Sequence, residues 1–139
     1  MRLKLALLSL LAVALTSCGS VGTVVLPANQ PVLRGVYEGT ITGVGGTVNG
    51  RLILGAVYED GSFTAELSFP DDPQVVPAHG LGSVWGSSFS IMMDRFTTRP
   101  FYLEGHLDTA TRRLIGTIRY PDREETLDFI FFYVRGVRD

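Results

Sequence analysis

The chain has 139 residues, 45% of them hydrophobic, 10% aromatic and 19% charged, with a formal net charge of −2 and a single cysteine. That is enough apolar chain for one domain with its own core. The slight acidic excess argues against nucleic-acid binding and against adhesion to anionic lipid by charge alone, and one cysteine excludes an internal disulfide or a cysteine-based metal site.

Arg2 and Lys4 open the chain with positive charge, and Leu5 to Leu15 follow as an apolar run relieved only by Ser9. The run is too short to cross roughly 30 Å of hydrocarbon as a stable helix, and it ends in small residues, which is the layout of an export signal. No later segment has the roughly 18 unbroken apolar residues that a spanning helix needs.

Leu15-Thr16-Ser17-Cys18, which holds the only cysteine, resembles the lipobox of bacterial lipoproteins. Thr16 and Ser17 depart from the usual Ala and Gly or Ala of that box, but both are small. The resemblance implies that a diacylglyceryl group is attached to the Cys18 thiol, that residues 1–17 are cleaved off as a signal peptide, and that the new amine of Cys18 is acylated. Two or more chains hold a protein stably on a membrane where one does so only marginally. Gly19 stands where the enterobacterial retention signal has Asp, which favours the outer membrane; the outer face of the cytoplasmic membrane is the alternative. Cleavage would also remove Lys4, the only lysine, leaving no Lys nucleophile or Schiff base.

Residues 18–32 read as lipid anchor and tether, with Pro27 and Pro31 discouraging regular structure, and with Val24 to Leu26 as an optional edge strand. From Leu33 onward apolar residues recur with a period of two. Leu33, Gly35, Tyr37, Gly39 and Ile41 share one face of a first strand. Val48, Gly50, Leu52, Leu54, Ala56 and Tyr58 share that of a second. Asp60-Gly61 then makes a hairpin turn into Phe63, Ala65, Leu67 and Phe69. Asp71-Asp72-Pro73 is a loop, and Val75 to Trp85, interrupted by Pro77, Gly80 and Gly82, suits an edge or bulged strand. Phe89, Ile91 and Met93 form the next strand, and 96–100 a loop. Phe101, Leu103, Gly105 and Leu107 pair across 108–111 with Leu114, Gly116, Ile118 and Tyr120. Pro121-Asp122 turns the chain into a last strand with Leu127, Phe129, Phe131 and Tyr133 inward.

These patterns predict an all-β domain over 33–139: an antiparallel up-and-down meander of about eight strands, forming a small closed or partly open barrel. Its general look is similar to lipocalin-like and avidin-like barrels. No motif of either family is present, and a likeness of fold carries little weight for function. An integral outer-membrane barrel is a poor fit, because Arg34, Glu38, Glu66, Glu104 and Arg119 would face lipid.

Tyr102, Glu104, His106 and Asp108 fall on the outward face of one strand, about 6–7 Å between successive members. They could contribute to a metal site with a neighbouring strand; a solvated face explains them better, since the spacing defines no geometry. His79 has no nucleophile motif around it, Asp71-Asp72 and Glu124-Glu125 lie at turns, and the glycines of 43–50 precede no helix and so make no phosphate cradle. We therefore expect no catalytic residue, no metal and no cofactor.

Ile130, Phe132 and Val134 are apolar on the face opposite Phe129, Phe131 and Tyr133, which calls for cover on the outside of the last strand. The tether would supply it; a protein partner, a second copy or the membrane surface are the alternatives. Function thus reads as a non-enzymatic, membrane-anchored interaction module of the cell envelope, the membrane being held through lipid at Cys18. The alternative is a carrier of a small apolar ligand within the barrel. Contact among Phe63, Phe89, Phe101 and Phe129 in a filled core would count against the carrier.

Overall fold

A computed structural model describes residues 33–137 other than 96 and 98. The stretches read from sequence as export signal and tether, with Cys18 between them and the optional strand at 24–26, lie outside the described residues. Eight strands follow one another: β1 (Gly35–Gly43), β2 (Gly46–Leu54), β3 (Ser62–Ser68), β4 (Ala78–Trp85), β5 (Ser88–Arg95), β6 (Phe101–Asp108), β7 (Arg113–Arg119) and β8 (Thr126–Arg135). Each pairs antiparallel with the next, and β8 returns to β1, closing the barrel. The all-β meander expected from the alternation is the fold observed, and the question of closure is answered: there is no free edge to protect. Among the described residues no helix is long and apolar enough to cross a membrane.

Two expectations need correction. The second strand stops at Leu54, so Ala56 and Tyr58 are exposed rather than inward, and Val57 packs on the core in their place. Closure demands a stagger between neighbouring strands. β2 therefore pairs with β3 only as far as Leu54↔Ala65, while the start of β3 belongs to β4 through Ser62↔Ser83. Asp60-Gly61 does turn the chain, with Gly61 at φ 85° and Asp60 Oδ1 accepting from the Ser62 N–H and hydroxyl, but at the end of a longer excursion. The irregular stretch likewise becomes a strand only from Ala78, with a bulge between His79 and Gly80. Val75 and Val76 belong to the preceding loop and are exposed.

The interior is filled by rings laid over glycines. Phe63 sits opposite Gly82 across β3–β4, and a Cβ on Gly82 would lie 2.3 Å from that ring. Phe131 stands opposite Gly39, and its ring reaches on to Gly50 of the next strand, 3.1 Å from where a Cβ would be. Phe89↔Gly105, Gly105↔Gly116 and Gly116↔Phe129 are successive partners across β5 to β8. Over those two glycines the Phe89 and Phe129 rings meet, 6.3 Å between centroids. The strands close in there too: a Cβ at Gly116 would stand 2.0 Å from the Glu104 carbonyl oxygen. With Leu52, Leu54, Ile91, Met93, Leu103 and Leu114 these rings form one buried cluster, and the described residues bury no polar or charged side chain beside it.

Candidate binding surfaces of the barrel

Strand β8 has the two faces the sequence gives it. Phe129 and Phe131 are buried, Ile130 is half-buried, and Phe132 and Val134 are 48% and 49% exposed. Tyr133 faces inward but is only partly buried, packing against the core from the barrel's end. Register places each outward side chain in a ring around the wall. Ile130 lies between Ile115 of β7 and Thr40 of β1. Phe132 lies between Arg113 of β7 and Glu38 of β1. Farther out on each side stand Asp108 and Arg51. Arg113 Nη2 donates to Asp108 Oδ2 at 3.2 Å and its Nε to Thr111 Oγ1 at 2.8 Å. Arg51 donates through Nε and Nη2 to Glu38 Oε1, at 3.0 and 2.9 Å. An apolar crest thus runs along β8, flanked on each side by a held ion pair.

The polar strand singled out by sequence is β6. Tyr102, Glu104, His106 and Asp108 do face outward, but arginines of β7 take up its carboxylates. Arg119 Nη2 reaches Glu104 Oε1 at 3.2 Å, and its guanidinium lies 4.8 Å from the Tyr102 ring centroid. Hydrogen bonds from Thr111 and Arg113 hold the Asp108 carboxyl below its usual range. Among the described residues no three His, Cys, Asp or Glu stand close enough to hold a metal ion. His79 lies on β4 with Nε2 3.9 Å from Glu66 Oε2, a cross-strand pair on the outer wall.

The two ends of the barrel differ. At the end where β1 begins, the Tyr37 hydroxyl donates to the Leu33 carbonyl at 2.7 Å, and Tyr133 meets Tyr37 edge-on at 5.6 Å. Arg112, which takes φ 51°, lays its guanidinium 3.5 Å from the Tyr133 ring centroid. Burial pushes the Tyr37 phenol up to about 12, against the pull of the Arg112 charge. This end is stoppered by stacked side chains.

The opposite end carries a pit of about 300 Å³, lined among others by Ile41, Leu67, Phe69, Val75, Phe101 and Tyr120. That is the lower end of the range for ligand sites, and the lining is mostly apolar, as such sites are. Arg123 stacks over Tyr120 at 5.4 Å, and Arg99 pairs with Asp122 on a neighbouring loop, holding the Asp122 carboxyl below its usual range. Sequence reasoning misses this pit, because Val75-Val76 read as part of a strand. The signal is nonetheless present: two valines between Pro73 and Pro77 are apolar residues held out of the sheet.

No protein-family model matches the chain, and no curated protein matches it.

Proposed function

We propose that the protein is a lipid-anchored module of the cell envelope that acts by binding rather than catalysis, and that its contact face is the outer side of β8. The observation that carries this reading is the exposed apolar crest of Phe132 and Val134, set between charged pairs. An apolar centre rimmed by charge is the usual anatomy of a contact surface. The export signal, the lipobox-like sequence and the single cysteine at its end support the anchor. Incorporating a photo-crosslinking residue at position 132 in the full chain tests the reading. On irradiation of intact cells we expect a covalent adduct, with the protein in the membrane fraction until Cys18 is replaced by Ser. No adduct, or membrane residence indifferent to Cys18→Ser, overturns it.

The pit at the open end favours a second reading, a site for a small apolar ligand. The ring contact of Phe89 with Phe129 across the interior, in a cluster that also holds Phe63 and Phe101, weighs against a deep cavity. Such a ligand would sit at the mouth. Displacement of a fluorescent long-chain amphiphile, weakened by Val75→Asp, would support this reading; failure of any apolar probe to bind would remove it.

A further inference from the structure

The outward row through Phe132 reads, from β6 to β2, Asp108, Arg113, Phe132, Glu38, Arg51. In charge it runs negative, positive, apolar, negative, positive. The row changes sign on reflection through its centre, and such a surface complements itself. If a second copy is turned by half a rotation about an axis along β8 through Phe132, its Arg113 comes over Glu38 of the first, and its Glu38 over Arg113. Ile130 then faces Ile130, and Val134 faces Val134. The other two-fold arrangement, with the strands antiparallel, sets Arg113 on Arg113 and Glu38 on Glu38, which like-charge repulsion disfavours.

We propose that the outer face of β8 is a homodimer contact, with β8 parallel to its copy and Phe132 on the axis. This rests on the reading of that face as the contact surface. A closed barrel offers no strand edge, so association has to use side chains of the wall rather than strand addition. The inner charges are already aimed. Arg113, held by Asp108 and Thr111, keeps further guanidinium N–H groups to donate outward. Among the described residues Glu38 receives Arg51 on Oε1 and nothing on Oε2, the oxygen that would accept from the partner copy. Two convex walls meeting along a crest bury less than the roughly 1,600 Å² of a stable interface, so the contact suits chains confined to one membrane surface. An isologous contact of this kind is the commonest form of self-association.

The test uses the full chain in its membrane, with Phe132→Cys or Val134→Cys introduced singly and mild oxidation applied. Each is expected to give a disulfide-linked dimer, because a residue at or beside a parallel two-fold meets its own copy. Arg113→Glu or Glu38→Arg added to either should lower the dimer yield about tenfold or more. Mixing the two charge variants should restore it, since the reversed charges then face opposite ones. Dimer at position 132 without any at 134 would mean that the strands cross differently, and overturns the parallel arrangement. No dimer at either position overturns the proposal. If the photo-crosslinked adduct at 132 then has a mass other than twice the chain's, the contact-face reading stands and self-association alone has failed. If no adduct forms, both have failed. The parent chain is the control: a disulfide through Cys18 itself would show a free thiol there and refute the lipid anchor.

Discussion

Phe131 and Phe132 are neighbours of the same type on one strand, yet the first is fully buried and the second is 48% exposed. Phe131 fills the space that Gly39 and Gly50 leave inside the barrel. Phe132 has Arg113 and Glu38 beside it on the outer wall. Identity of residue therefore says little about its role in this barrel, and the period of two says nearly everything. The inner face of β8 holds the fold together, while Phe132 and Val134 on its outer face stay about half exposed.

The sharpest way to break that contrast is to truncate both rings. Phe131→Ala should cost about 3–5 kcal/mol, the usual effect of removing a buried ring and leaving a cavity. Phe132→Ala should stay within about 0.5 kcal/mol, as surface changes do. Denaturant titration of the two variants measures the difference directly, and equal losses would mean that the faces are misassigned.

The glycines test the same contrast from the other side of the core. Gly116→Ala puts a Cβ 2.0 Å from the Glu104 carbonyl oxygen and 2.6 Å from the Gly105 Cα. Backbone cannot yield there cheaply, so the loss should reach at least the roughly 1–3 kcal/mol of an overpacked core. Gly45→Ala, at a turn with no atom within 4 Å of the added carbon, should be close to neutral by the same titration.

At the stoppered end, Tyr37→Phe removes the hydroxyl that donates to the Leu33 carbonyl and should cost about 1–2 kcal/mol. It should also change the response to alkali. The folded-state value of Tyr37, raised to about 12 from 10.0, lies above that of the unfolded chain. Its contribution is therefore complete below about pH 10 and is lost as the pH climbs toward 12. The parent should lose stability across that window, and Tyr37→Phe should lose less of it. The smallest effect belongs to the half-buried Asp108, whose value is lowered by Thr111 and Arg113. Its support is present above the usual carboxylate range and fades as the pH falls through the lowered value, so Asp108→Asn should slightly flatten the acid limb of the stability profile.

What the amino-acid sequence alone makes legible follows from the same physics. Alternation places Tyr37, Leu52, Phe63, Ile91, Leu103, Phe129 and Phe131 inside correctly, because side-chain direction along a strand is local. It also puts Phe132 and Val134 outside. Local pattern does not carry the stagger that barrel closure imposes. Alternation alone therefore runs the second strand past Leu54 to Tyr58 and draws Val75-Val76 into a strand. The pit at the mouth and the charge row through Phe132 depend on which strands are neighbours and in what register. Neither Glu38 nor Arg113 announces in sequence that it stands beside Phe132.

That the outer face of β8 serves association and not stability is tested most directly by adding Phe132→Asp to Val134→Cys in the full chain. The yield of disulfide-linked dimer in the membrane and the unfolding midpoint of the extracted protein are measured together. We expect a midpoint within a degree or so of that of Val134→Cys alone, as for a surface change, with the dimer yield lowered about tenfold or more. A lowered midpoint, or an unchanged dimer yield, would contradict it.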